Sequence, residues 1–287
     1  MQKTWTWSTS GYVFLGRPHE EIQQLCRYAG LDNLEFSLPL IPQGGADQIE
    51  RLGAQYRAAG VGIDTFHLPL DTTSDIASFY ETWRLQAVNK IDFALEQAAQ
   101  LGARVAIQHP STSRFDIDLE GFDNYLRQLD KSLATLLPRA EQLGITIALE
   151  NMVPGERGVP RLGSRPEHFA RFATEFAHPN LGFCLDTGHA LVAGGLAGAD
   201  VFYQTMAPHI VAFHLADNAG DRDSHLAPGR GLVNWDTVFQ RTVQSGYAQS
   251  MCIETPPFAP GPDYSQDDWR ALVQDTGALV AKALKKR

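Results

Sequence analysis

Cysteine is scarce in this chain. Three of its 287 residues, Cys26, Cys184 and Cys252, are cysteines, and no CxxC pair occurs. That count gives no even disulfide framework and points to a reducing, cytoplasmic setting. Long apolar runs are missing too. No stretch approaches the roughly 20 residues that span a bilayer, and the opening MQKTWTWSTSGYVF has no basic region followed by an apolar one. The expectation is a soluble, unprocessed chain with no membrane partner. Basic charge is the third shortage: 24 Lys and Arg against 33 Asp and Glu give a net charge of −9. Proteins that neutralise phosphate backbones carry basic surface, so a nucleic-acid partner is disfavoured. The one basic run, KALKKR at the C-terminal end, reads as a solvated helix end. Finally, STSGYVFLG after the first apolar segment is a poor match to a glycine-rich phosphate turn, which argues against a doubly wound nucleotide-binding sheet.

What is present is alternation. Hydrophobic residues make up 44% of the chain and charged residues 20%, ordinary globular values. Short apolar segments near 4–8, 33–37, 62–67, 104–109, 146–151, 181–186, 210–215 and 251–254 read as strands. Between them lie amphipathic stretches such as ADQIERLGAQYRAAG and FDNYLRQLDKSLATLLPRAEQLG. Gly60, Gly102 and Gly144 stand where helices should stop before the next strand. Eight strands alternating with eight helices, without a linker or composition break, predict one (β/α)₈ barrel domain over residues 1–287. Self-association into a homo-oligomer is left open.

The strand ends carry the chemistry. Strands three to eight end in His67, His109, Glu150, Asp186, His214 and Glu254. In a barrel these ends converge on one face, where active sites of the fold are built. A lone terminal Asp or His is usually a cap or a turn residue; six in succession are not explained that way. Alternation along each strand puts Ala148 on the face of Glu150, Cys184 with Asp186, Ala212 with His214 and Cys252 with Glu254. The small residues should therefore point into the barrel beneath the polar groups. His19, His168, His178 and His209 fall in helices or before strands and receive no role. Glu150, Asp186, His214 and Glu254 form an oxygen-rich set suited to Mn²⁺, Mg²⁺, Co²⁺ or Zn²⁺. His67 and His109 add a nitrogen-rich second position sharing Glu150. Asp223 and His225, in DRDSHLAPGRG, read equally as ligands of a further metal, as supports for ligands, or as ordinary loop groups. Trp5, Trp7, Phe66 and Trp235 are candidates to wall a pocket, with core packing expected for at least two of them.

Taken together, LEF, ALENM, LDTGHA, FHLAD, HLAPGRGLVNW and the terminal IET resemble the xylose isomerase-like barrel superfamily. The resemblance spans nearly the whole chain. Its ketose 3-epimerase and isomerase branch implies one metal on Glu150, Asp186, His214 and Glu254, with substrate contacts from Glu156 and His189. The arginine that branch implies falls on Gly220, which leaves Arg222 as the nearest candidate; Arg222 or Arg230 would then meet a phosphate or carboxylate. The endonuclease IV branch implies three zinc ions on His67, His109, Glu150, Asp186, His189, His214, Asp223, His225 and Glu254. The loop LPLIPQGGADQ carries no Lys or Arg where that branch inserts into DNA. The balance favours a small-molecule carbohydrate enzyme in which Glu150 and Glu254 move a proton beside a carbonyl and a metal stabilises the enediolate. A polyol-ketone dehydratase uses the same chemistry, and an abasic-site phosphodiesterase is the alternative class.

Overall fold

The computed structural model describes residues 5–112, 116–257 and 264–286. Eight parallel strands pair in chain order and close on themselves: β1 (Trp7–Ser10), β2 (Asn33–Ser37), β3 (Thr65–His67), β4 (Val105–Gln108), β5 (Thr146–Glu150), β6 (Leu181–Asp186), β7 (Ile210–Leu215) and β8 (Met251–Ile253). The expected (β/α)₈ barrel is the observed architecture. β1 begins later than residues 4–8 suggest, because Trp7, Ser8 and Thr9 are the positions that pair with β8; Thr4 lies outside the described residues, as does Arg287. No helix among the described residues is long and apolar enough to cross a membrane.

Among the described residues the outer layer holds ten helices rather than eight: α1 (His19–Ala29), α2 (Ala46–Ala58), α3 (Glu81–Leu101), α4 (Ile117–Glu120), α5 (Phe122–Leu143), α6 (Pro166–Glu175), α7 (Thr187–Gly194), α8 (Gly198–Met206), α9 (Trp235–Ser245) and α10 (Gln266–Lys285). Gly102 and Gly144 take left-handed φ values of 99° and 67°. Only glycine adopts these without a Cβ clash, and each ends its helix as expected.

Strand alternation sorts the core into two layers. Ile145, Ile147, Leu149, Phe183, Leu185 and Phe213 face the helices in one large cluster. Val105, Ile107, Ala148, Cys184 and Ala212 form a separate small cluster inside the barrel. This is the face expected beneath Glu150, Asp186 and His214. Small side chains at those inner positions leave the barrel mouth open above them.

Candidate active site

Asp186 shows how a capping residue also becomes a site residue. One oxygen, Oδ1, accepts the His189 backbone N–H at 2.6 Å and caps α7. The other, Oδ2, is buried and makes no hydrogen bond. Glu150 Oε2 and Glu254 Oε2 are also buried, with histidine nitrogens beside them, His109 Nε2 at 3.2 Å and His214 Nδ1 at 3.1 Å. A buried carboxylate oxygen with no partner is costly, and native proteins rarely leave one. Here Asp186 Oδ2 is such an oxygen, and one ligand atom from each of Glu150, Asp186, His214 and Glu254 lies within 4.8 Å of the others. Such a donor set fits a divalent cation, which would satisfy that oxygen.

The histidine tautomers point the same way. His67 Nδ1 is 2.8 Å from the Leu68 carbonyl, His189 Nδ1 is 2.8 Å from the Asn151 carbonyl, and His225 Nδ1 is 2.7 Å from the Glu254 carbonyl. A carbonyl only accepts, so in each ring Nδ1 carries the hydrogen and Nε2 faces a carboxylate. These contacts are His67 to Glu150 at 3.7 Å, and His189 and His225 to Asp223 at 3.2 and 3.1 Å. A bare nitrogen lone pair against a carboxylate is repulsive unless a proton or a cation lies between them. His214 is mounted the other way round. Its Nε2 faces Glu35 Oε2 at 3.1 Å, while Nδ1 lies 3.0 Å from Glu150 Oε1 and 3.1 Å from Glu254 Oε2. Holding one ring nitrogen by a carbonyl or carboxylate so that the other is aimed is how metal-binding histidines are fixed.

Three further groups of ligand type adjoin the first. Glu35, His214 and Cys252 converge below it, sharing His214; His67, His109 and Glu150 converge on one flank, sharing Glu150; and His189, Asp223 and His225 form the other flank. The group of His189, Asp223 and His225 brings the two loop residues together with a buried histidine in the manner of a ligand set. Without a cation, protons take its place. Burial pulls His225 down, but Asp223 and Glu254 push it up to about 10. Burial pushes Asp186 up to about 8, with Glu254, Glu150 and Asp223 adding to it and His189 opposing. Burial also raises Glu150 and Asp223, yet their histidine neighbours hold both well below the carboxylate range.

A cavity of about 830 Å³ opens above this ring, and His67, His109, Glu150, His189, Asp223, His225 and Glu254 line it. The remaining predicted residues are placed elsewhere. Glu156 is exposed on the turn after β5, and Arg222 is exposed in the loop after β7. Arg230 pairs with Asp275 on α10 at 3.7 Å, with both side chains about two-thirds exposed. None of the three lines the cavity; the cations that do are Lys90 and Arg161. Trp5, Trp7, Phe66 and Trp235 all lie in the outer core, where Trp5 and Trp235 donate their indole N–H to the Tyr247 carbonyl and to Asp217. The pocket walls are instead Tyr12, Leu15, Leu38, Leu70 and Met152 among others.

Sequence reasoning assigned no role to three buried polar residues. Glu35 holds His214. Asn151 braces β6 by accepting the Asp186 N–H at 2.7 Å and donating to its carbonyl at 2.9 Å. Asp217 organises the loop that carries Asp223 and His225. A carboxylate or amide in the middle of an apolar segment was the available signal for each.

A family model described as xylose isomerase-like TIM barrel matches residues 23–274. An uncharacterized Methanocaldococcus jannaschii protein, MJ1311, is 35% identical over 182 residues, 62% of this chain and 59% of its own length. The chain thus spans under two thirds of that relative. A probable endonuclease 4 of Mycobacterium leprae is 27% identical over 166 residues, covering 56% of this chain and 61% of its own. The crystal structure of a D-tagatose 3-epimerase-like protein superposes with a TM-score of 0.78 at 24% identity, over 97% of this chain and 99% of that one. At that identity the likeness is one of fold.

Proposed function

The chain belongs to the xylose isomerase-like TIM barrel family, and from that premise we propose that it is a cytoplasmic, divalent-metal-dependent isomerase or epimerase of a sugar or sugar phosphate. The observation that carries this reading is the convergence of three buried carboxylates on His214, with Asp186 Oδ2 left without a hydrogen bond, beneath a cavity large enough for a small molecule. Glu150, Asp186, His214 and Glu254 would hold the ion. When bound, Mn²⁺, Mg²⁺, Co²⁺ or Zn²⁺ supplies a Lewis acid for a substrate carbonyl and for the charge of the enediolate. The chain's own residues do the rest. Glu150 and Glu254 both reach His214 Nδ1, and one removes the proton beside the carbonyl while the other returns it. His189, fixed by the Asn151 carbonyl, orients a substrate hydroxyl. Glu156, Arg222 and Arg230 stay outside the cavity in this conformation and are given no step.

The test is isotopic. In D₂O, turnover of the true substrate should place deuterium on the carbon beside the carbonyl. Glu150→Gln and Glu254→Gln should each lower turnover by about 10²–10⁴-fold beyond any loss of metal, the range of general acid–base catalysis. Turnover with no solvent deuterium in product or recovered substrate rules out a solvent-exchanging proton transfer.

One observation favours a second reading. The two flanking groups around His67 and His109 and around Asp223 and His225 would let the ring hold three ions, an arrangement suited to phosphodiester hydrolysis. Nicking of abasic-site DNA by the metal-loaded protein, together with about three bound ions per chain, would support it over the isomerase reading.

A further inference from the structure

The cavity has two unlike sides. Ligand-type groups at the ends of β3 to β8 and in the loop after β7 form its floor and one flank. The opposite wall comes from the segments at and after the ends of β1, β2 and β3 and is mostly apolar: Tyr12, Leu15, Leu38, Pro39, Pro69 and Leu70, with Ser10, Ser37 and Asp71 at its polar points. Leu15 and Leu70 are 51% and 55% exposed, and Tyr12 is 42% exposed. Large apolar side chains held in water beside a ligand cavity mark a surface that an apolar group covers. Charge on this side agrees. Its cation among the described lining residues, Lys90, is 2.5 Å from Asp71 Oδ2 and 3.1 Å from Thr73 Oγ1, so its charge is already matched.

We infer that the substrate joins a hydroxycarbonyl head, which occupies the ring, to an apolar aryl or alkyl substituent that lies on the Tyr12–Leu15–Leu70 wall. This rests on the isomerase reading for its head group, while the wall rests on separate residues. A phosphate in the same place would face leucine side chains and a lysine already paired with Asp71, and would gain little charge complementarity there.

A matched pair of probes separates the two claims. Hydroxyacetone and 2-hydroxyacetophenone share the head CO–CH₂OH and differ in a methyl against a phenyl group. Their affinities for the magnesium-loaded protein, and for the protein after chelation, are read by saturation-transfer NMR. The phenyl probe should bind on the order of tenfold or more tightly, given the added apolar area it buries. In a Leu15→Ser, Leu70→Ser double variant that advantage should shrink to about threefold or less; both positions are exposed, so the fold is retained. Equal binding of the two probes by the wild type overturns the subsite, as does an advantage that survives in the double variant. A phenyl advantage that is lost in the variant but unaffected by chelation keeps the apolar subsite and removes the metal-chelated head group. Failure of both probes to bind removes both.

Discussion

Glu35 sits in the middle of β2 between Leu34 and Phe36, both wholly buried. A carboxylate there is tolerable only with a partner, and its partner is His214 Nε2, 179 residues away in the chain. By accepting that N–H, Glu35 fixes the tautomer that leaves Nδ1 aimed at Glu150 and Glu254. Glu35→Ala should therefore weaken divalent-ion binding by about 10–100-fold, the usual cost of losing such a support. Glu35→Gln keeps an acceptor and should cost less. Competition against a chromophoric chelator measures both. Equal affinity in all three proteins would show that packing alone holds the imidazole.

At the scale of elements, the loop from β7 to α9 is built around Asp217. Its carboxylate accepts backbone N–H groups from Gly229 and Val233 at 2.9 Å each and the Trp235 indole N–H at 2.8 Å. Gly231 is required there, because a Cβ would stand 2.4 Å from Asp217 Oδ1 and 2.3 Å from the Asn218 carbonyl. Asp217→Ala strands several buried donors at about 1–3 kcal/mol each. The variant should lose several kcal/mol in urea denaturation, and ion binding at Asp223 and His225 should fall with the loop that carries them. Helix α6 supplies a pH dependence. His168 is buried and accepts the Gly163 N–H on Nδ1 at 3.0 Å. Burial, with Arg165 adding, lowers it to about 4. The unfolded chain takes up this proton near pH 6.5, so the stability His168 contributes is complete above 6.5 and is lost as pH falls toward 4. The loss amounts to about 3 kcal/mol, and His168→Gln should show a correspondingly shallower fall in stability over that window.

These elements also show what the sequence made legible. Strand periodicity and terminal residues were local, and they placed Glu150, Asp186, His214 and Glu254 in one ring and Ala148, Cys184 and Ala212 beneath them. Glu35 and Asp217 were not legible as site residues, because each acts through a tertiary partner. For the large aromatics the sequence was half legible: core packing was expected for at least two of Trp5, Trp7, Phe66 and Trp235, and all four lie there, because barrel helices need large apolar groups as much as a pocket wall does; Trp5 and Trp235 are held by indole hydrogen bonds.

For the molecule as a whole, Asp186 is the ring member whose charge opposes folding until a cation is present. Burial and the neighbouring carboxylates hold Asp186 at about 8 against about 3.9 when unfolded. The folded metal-free chain therefore keeps a proton that the unfolded chain releases, and the contribution of Asp186 to stability falls as pH rises from about 4 to 8. An ion that binds only the folded state reverses this, adding about 2.7 kcal/mol at a hundred times its Kd. Asp186→Asn should separate the two effects. The amide still caps α7 through its oxygen, carries no charge, and turns an N–H toward the carboxylates of Glu150 and Glu254. Without metal at pH 8, the variant should melt a few degrees above the wild type, since 1 kcal/mol moves Tm by about 2–4 °C in a chain near this size. With saturating Mn²⁺ or Zn²⁺ the order should invert, because the wild type alone keeps the full ligand set. Calorimetry of both proteins with and without metal checks it. A variant less stable in both states would show that Asp186 serves the fold as a cap before it serves the site.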